Sequence, residues 1–310
     1  MYAAHTTFRL LATLLFASQA IAKTASKSAC TSTYKNASLR LLTISVTPEL
    51  FQKIERYTAF SAASYGDTCA TPPFGSSVVK YFNDDATDTQ GTLFRDDANE
   101  EIVLAFRGTS TPKDLDTDFA FTLVPLNAEG TDCPSCKVHE GFQKAYNSIS
   151  ADVISAVESL KQSQPSYSIV LTGHSLGGGI AAIASSSLVG RGHEIKTYTF
   201  GEPRNGDSNF ADYLNGQVPP SDYFRVTHAN DGVPQIPPRA LGYQHHGTEY
   251  WQSNKESNDA SSTFQCTGAE PADCNASQDF GDNPINGAHL GYSNSLIGNS
   301  LFIAACGASL

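Results

Sequence analysis

From Thr47 onward, the hydrophobic positions of this chain switch between helical and strand-like spacing. Leu50, Ile54 and Tyr57 share one face of a helix that the spacing predicts from Thr47-Pro48-Glu49 to about Ser64. Thr47 can cap it, Pro48 suits its first turn and Glu49 complements its dipole. A hairpin follows: Thr92 to Arg95, a polar turn over Asp96 to Asn99, then Glu101 to Phe106. The unbroken apolar run from Ile102 reads as a buried central strand. A second helix, Phe142 to about Gln162, aligns Ile149, Val153, Val157 and Leu160. Ser168 to Leu171 reads as a short buried strand and Gly177 to about Leu188 as a helix of small residues. Further strands are predicted at Ile195 to Phe200, Tyr223 to Val226 and Thr248 to Trp251. Strands alternating with helices imply an α/β fold with a mostly parallel central sheet and helices on both faces. No internal repeat or linker divides it.

The first residues carry a different pattern. Arg9 precedes a short apolar run, Leu10 to Phe16, and Ala20-Ile21-Ala22 places small residues where a signal peptidase cuts. The run is too short to span a bilayer. Residues 1–22 are therefore expected to be a secretory signal, residues 23–46 an irregular arm, and residues 47–310 the folded domain of an extracellular protein without a transmembrane segment. With 310 residues, 40% of them hydrophobic and 16% charged, a sizeable core is available. A formal charge of -11 makes nucleic acid a poor partner.

Secretion makes disulfides the default for the seven cysteines. Cys133-Pro-Ser-Cys136 lacks a second CxxC to complete a zinc site, so a small structural loop is the better reading. Cys266 and Cys274 are close enough in sequence to pair, and Cys69 with Cys306 would then close most of the domain into one loop. Cys30 is left over. Asn36-Ala-Ser38 and Asn275-Ala-Ser277 are acceptor sequons for N-glycans.

Candidate chemistry centres on Gly173-His174-Ser175-Leu176-Gly177. A buried strand precedes this Gly-x-Ser-x-Gly turn and a helix follows, the context a nucleophile elbow requires. The elbow lifts Ser175 above the C-terminal edge of the sheet, where open α/β sheets bind ligands. A serine hydroxyl needs a base, and the base needs an orienting carboxylate. In this fold the order is Ser, acid, His. Asp231 follows the strand at Tyr223 to Val226 and is the best acid, whereas Asp207 and Asp212 fall in a predicted helix. Three histidines come later: His245, His246 and His289. Spacing favours His289, in a late loop, over the adjacent pair.

Several segments together resemble the fungal class 3 lipases, the Rhizomucor and Thermomyces lipase family, and within it the branch containing feruloyl esterase A of Aspergillus. They are Phe106-Arg107-Gly108-Thr109, Thr172 to Gly177, Tyr198 to Arg204, Phe224 to Asp231 and Gly247 to Trp251. The resemblance runs from about Thr47 to Cys306 and implies an α/β-hydrolase fold. It implies Ser175, Asp231 and His289 as a triad, and an oxyanion hole from Thr109 and the backbone N–H of Leu176. It likewise implies the pairs Cys69–Cys306, Cys133–Cys136 and Cys266–Cys274. A lid is implied over about Ser110 to Phe121. Here that segment carries three aspartates, with Leu115, Phe119 and Phe121 as its large apolar residues. The family's lid tryptophan is absent, since the only Trp is Trp251, and no tyrosine stands between Ser110 and Cys136. So acidic a lid gains little from an oil surface, and Phe119 and Phe121 are candidate contacts for an acyl chain.

These features point to a secreted serine esterase that needs neither metal nor other cofactor. Its expected substrate is a glyceride or other neutral ester, met at a lipid–water interface with weak dependence on that surface. A feruloyl esterase and a non-catalytic lipid- or carbohydrate-binding protein on the same fold are the alternatives.

Overall fold

A nine-stranded sheet carries the fold, and its strands follow the runs of β-branched and aromatic residues. In chain order the strands are β1 (Thr43–Ser45), β2 (Ser77–Asp84), β3 (Thr89–Asp96), β4 (Glu101–Phe106), β5 (Leu123–Pro125), β6 (Lys137–His139), β7 (Ser168–His174), β8 (Ile195–Phe200), β9 (Tyr223–His228), β10 (Thr248–Gln252) and β11 (Thr263–Cys266). The sheet order is β1-β11-β10-β9-β8-β7-β4-β3-β2, with β5 and β6 forming a separate ribbon. Strands β4, β7, β8, β9 and β10 run parallel. At one edge β2, β3 and β4 form an antiparallel meander, and at the other β11 runs antiparallel to β10. This computed structural model describes residues 43–66, 68–109, 121–298 and 306. The expected signal over residues 1–22, Cys30, Asn36, Leu115 and Phe119 lie outside the described residues.

Among the described residues, four α-helices cover the sheet: α1 (Pro48–Ala63), α2 (Glu140–Ser163), α3 (Leu176–Gly190) and α4 (Ser208–Gln217). Thr47 caps α1, its hydroxyl oxygen accepting from Leu50 N at 3.2 Å. Side chains alternate across a strand, so β4 supplies both faces. Val103 and Ala105 pack with Ile54, Tyr57 and Phe60 of α1. Ile102, Leu104 and Phe106 pack with Phe142, Val153 and Val157 of α2 and Ile180 and Ile183 of α3. Helix α3 is enclosed on every side, which is why its sequence is apolar and small throughout rather than amphipathic.

Two expectations need correction. The arm expected through residue 46 ends in strand β1. Strand β2 went unpredicted because it is a half-exposed edge with a bulge between Val78 and Lys80, which breaks its alternation. Asp207 stands just ahead of α4 as its cap, accepting from Phe210 N at 2.9 Å, and Asp212 lies within α4. All three disulfides implied by the resemblance form, including Cys69–Cys306 across 237 residues. Among the described residues no helix is long and apolar enough to cross a membrane.

Candidate active site

Strand β7 delivers Ser175 to the sheet's C-terminal edge, and α3 starts immediately after it. The turn is tight because strand and helix nearly touch. A Cβ on Gly173 would lie 2.2 Å from the carbonyl oxygen of Gly177, and one on Gly177 would lie 2.2 Å from that of Phe106. Close approach, rather than unusual dihedrals, is what demands these glycines. The backbone strain falls on Ser175 itself, at φ 58° and ψ −128°.

Three separate chain segments converge there. Ser175 Oγ lies 3.0 Å from His289 Nε2, and His289 Nδ1 lies 2.9 Å from Asp231 Oδ2. A carboxylate only accepts, so Nδ1 carries the imidazole proton and Nε2 is left to accept from the serine hydroxyl. Asp231 sits three residues beyond β9, and its Oδ1 accepts from Val233 N at 2.9 Å. His289 sits in a 3₁₀ turn, Gly287–Leu290, capped by Asn286. All three side chains are buried. The structure thus brings together the serine, acid and histidine singled out from the sequence. It places His245 and His246 elsewhere, with His245 Nε2 at 2.7 Å from the Pro234 carbonyl and His246 Nε2 at 3.3 Å from Glu202 Oε1.

Beside Ser175 is a cavity of ≈ 360 Å³, lined by Thr109 and Leu176 together with His139, Phe142 and Ala145. Leu176 is the first residue of α3, whose opening N–H groups have no partner within the helix. The Thr109 hydroxyl is buried and has no hydrogen-bond partner among the described residues. Such an orphaned donor facing a cavity suits a ligand oxygen. Phe121 is half-buried at the end of the lid segment. Among the described residues, the ligand atoms close enough to share a metal are on Glu249, Cys266 and Cys274, and both sulfurs are spent in a disulfide.

Further residues complete the site. The Tyr292 hydroxyl donates to Asp231 Oδ2, the oxygen that also faces His289. The ring of His174 lies 4.5 Å from that of His289. Its Nε2 donates to the His289 carbonyl at 2.8 Å, and its Nδ1 accepts from the Tyr65 hydroxyl at 2.7 Å. His174 lies in the elbow already singled out and Tyr292 three residues beyond His289, but only the fold reveals their partners. The structure encloses Asn275, one of the two expected glycan acceptors. Its side chain is 2% exposed, and its Nδ2 donates to the Asp231 carbonyl at 2.9 Å and the Ala229 carbonyl at 3.3 Å, so the nitrogen a glycan would need is enclosed and engaged.

Buried histidines give the fold a pH dependence. Burial holds His139 down at about 4 and His246 at about 3, and it puts His174 and His245 well below the usual 6.5. Only the unfolded chain protonates freely, so their contribution is full above pH 6.5 and is lost as pH falls through these values. Glu202 acts with the opposite sign. Burial raises it to about 7, so its contribution is full below the usual 4.5 and lost as pH rises through about 7. Burial also raises Glu249 and Glu55 above the usual 4.5, in the same sense as Glu202. The four histidines outnumber these three glutamates, and the unfolding midpoint should fall as pH is lowered from 6.5 to 4. Calorimetric scans across that range check this, and a midpoint that rises on acidification refutes it.

The sheet order, the elbow after β7 and the acid after β9 define an α/β-hydrolase fold with a serine–histidine–aspartate site. The family model Lipase (class 3) matches residues 103–241. The chain is 36% identical over 156 residues to the secreted mono- and diacylglycerol lipase 1 of Fusarium solani, a match covering 50% of this chain and 45% of that protein. It is 31% identical over 253 residues to a lipase of Rhizomucor miehei, covering 74% of this chain and 66% of that one. The crystal structure of a lipase from Rhizopus microsporus var. chinensis superposes with a TM-score of 0.73 at 28% identity, covering 84% of this chain and 92% of that chain. The chain belongs to the fungal class 3 lipase family. It spans from about half to about two thirds of the length of the curated relatives it matches.

Proposed function

We propose that this protein is a secreted lipase that hydrolyses acylglycerols through Ser175, His289 and Asp231. The observation that carries the reading is the unbroken contact from Ser175 Oγ through His289 to Asp231, at 3.0 and 2.9 Å, beside a cavity. Ser175 Oγ attacks the ester carbonyl carbon while His289 Nε2 takes its proton. Thr109 and the N–H of Leu176 donate to the oxygen that becomes negative, and removing one such donor costs about 2.7–4 kcal/mol in the barrier. The ester C–O bond then breaks, His289 returns the proton to the departing alcohol, and an acyl-enzyme remains. Water repeats the sequence and frees the acid. Asp231 holds the imidazole in the reactive tautomer and stabilises its charged form.

The names of the relatives, lipase and mono- and diacylglycerol lipase, favour a glyceride substrate. The expected signal over residues 1–22 and the secreted relatives favour an extracellular site of action. Initial rates against tributyrin, triolein and methyl ferulate test the assignment, with tributyrin taken below and above its solubility limit. Glyceride turnover should dominate and rise little across the solubility limit. Fast ferulate turnover with negligible glyceride hydrolysis would replace the lipase by a feruloyl esterase.

A further inference from the structure

The loop that presents Asp231 is awkward for its sequence. Ala229 has φ 40°, a left-handed backbone that a residue with a Cβ rarely adopts. Three successive carbonyls, of Ala229, Asn230 and Asp231, turn away from β9 and must be held by side chains. Asn286 Nδ2 takes the Asn230 carbonyl at 2.7 Å. Asn275 Nδ2 takes both others, at 3.3 and 2.9 Å, while Trp251 Nε1 also donates to Ala229 at 3.0 Å. A primary amide has two N–H donors, and here they face two carbonyls. Asn275 is itself fixed. Its backbone N–H donates to Glu249 at 3.1 Å, its carbonyl accepts from Gln235 at 3.0 Å, and the preceding Cys274 is tied to Cys266.

We infer that Asn275 is a positioning residue for the acid loop, and that a glycan on Asn275 and a working site exclude each other. The inference rests on Asp231 being the acid of the triad. N-glycosylation replaces one of the two amide hydrogens with a sugar, which removes a donor and must fit a bulky group into a closed space. The sequon Asn275-Ala276-Ser277 is therefore a local pattern that the folded, active protein leaves unused.

Asn275→Asp tests this, because aspartate keeps the shape but cannot donate. With a soluble ester, kcat should fall by about 10- to 100-fold, the scale of a misaligned reacting group, while KM stays within about 2-fold. Titration with a fluorophosphonate counts reactive serines, so kcat is read per intact site. Unchanged kcat per site, with only a lower unfolding midpoint, would make Asn275 merely structural. Asp231→Asn, measured in parallel, should cost about 10⁴-fold. If Asp231→Asn retains activity, the triad reading fails; if it is inactive while Asn275→Asp is not, only the positioning role fails. Should Asn275→Asp not fold, the wild-type protein secreted from a glycosylating host still decides. Peptide mass spectrometry of its titratable fraction should find Asn275 bare, and a sugar there would overturn the inference. Ser277→Ala removes the sequon, together with the hydroxyl's bond to the Cys274 carbonyl at 2.6 Å, keeps the Asn275 amide and should leave kcat unchanged.

Discussion

Replacing Ser175 with alanine is expected to lower kcat on a soluble ester by about 10⁶-fold, equivalent to about 8 kcal/mol of barrier, without lowering the unfolding midpoint. The two halves of that expectation have separate grounds. Ser175 Oγ contacts His289 Nε2, and no hydrogen bond from this side chain caps α3, so its removal leaves the helix start intact. The strained backbone at φ 58° is equally strained for alanine, since both residues carry a Cβ. What is lost is the nucleophile alone. A residual rate above that of water should persist, because the oxyanion donors and the cavity still bind substrate. Near wild-type turnover in this variant would mean that another group attacks the ester.

The second large effect concerns the base. His289→Ala should cost nearly as much as losing the serine, because members of such a unit do not contribute additively. His245→Ala and His246→Ala should keep most of the activity per folded molecule. Those two rings face the Pro234 carbonyl and Glu202, away from the serine, so their loss should show as lower stability. Comparing kcat per titratable serine with the unfolding midpoint for the three variants separates the roles. An inactive His245 or His246 variant alongside an active His289 variant would reverse the assignment of the base.

Much of this arrangement was legible in the sequence because the central elements obey one dominant force. Strand β4 and helix α2 are read correctly to within two residues, since burying Ile102 to Phe106, or one face holding Val153 and Val157, leaves no other solution. The elbow is legible for a similar reason: its glycines are required by contacts with neighbours in sequence or on the adjacent strand. Edges are harder. Strand β2 is exposed on alternate residues and bulged, so its pattern is weak. Spacing alone favoured His289 over His245 and His246 only modestly; the family resemblance strengthened that choice, and the fold brings His289 to Ser175. Asn275 shows the opposite failure. A three-residue sequon is blind to burial, and whether its nitrogen faces solvent or a loop carbonyl is decided by the packing of residues 229–231, more than forty positions away. His174 sits in the elbow itself and Tyr292 three residues beyond His289, yet a hydroxyl or an imidazole acquires a role only when its partner is known.

The spacing of the triad along the chain has a consequence for biosynthesis. Ser175 and the whole of β7 leave the ribosome well before His289, which is 114 residues further on. Through that interval the nascent protein carries a shaped but unactivated hydroxyl. The Cys69–Cys306 link that ties the last described residue back to the end of α1 comes later still. The contact from Ser175 to His289 therefore cannot form until residue 289 has been made. A product truncated by a premature stop before residue 286 would lack the proposed base and should be chemically inert, so the reactive hydroxyl is made well ahead of the group that would activate it.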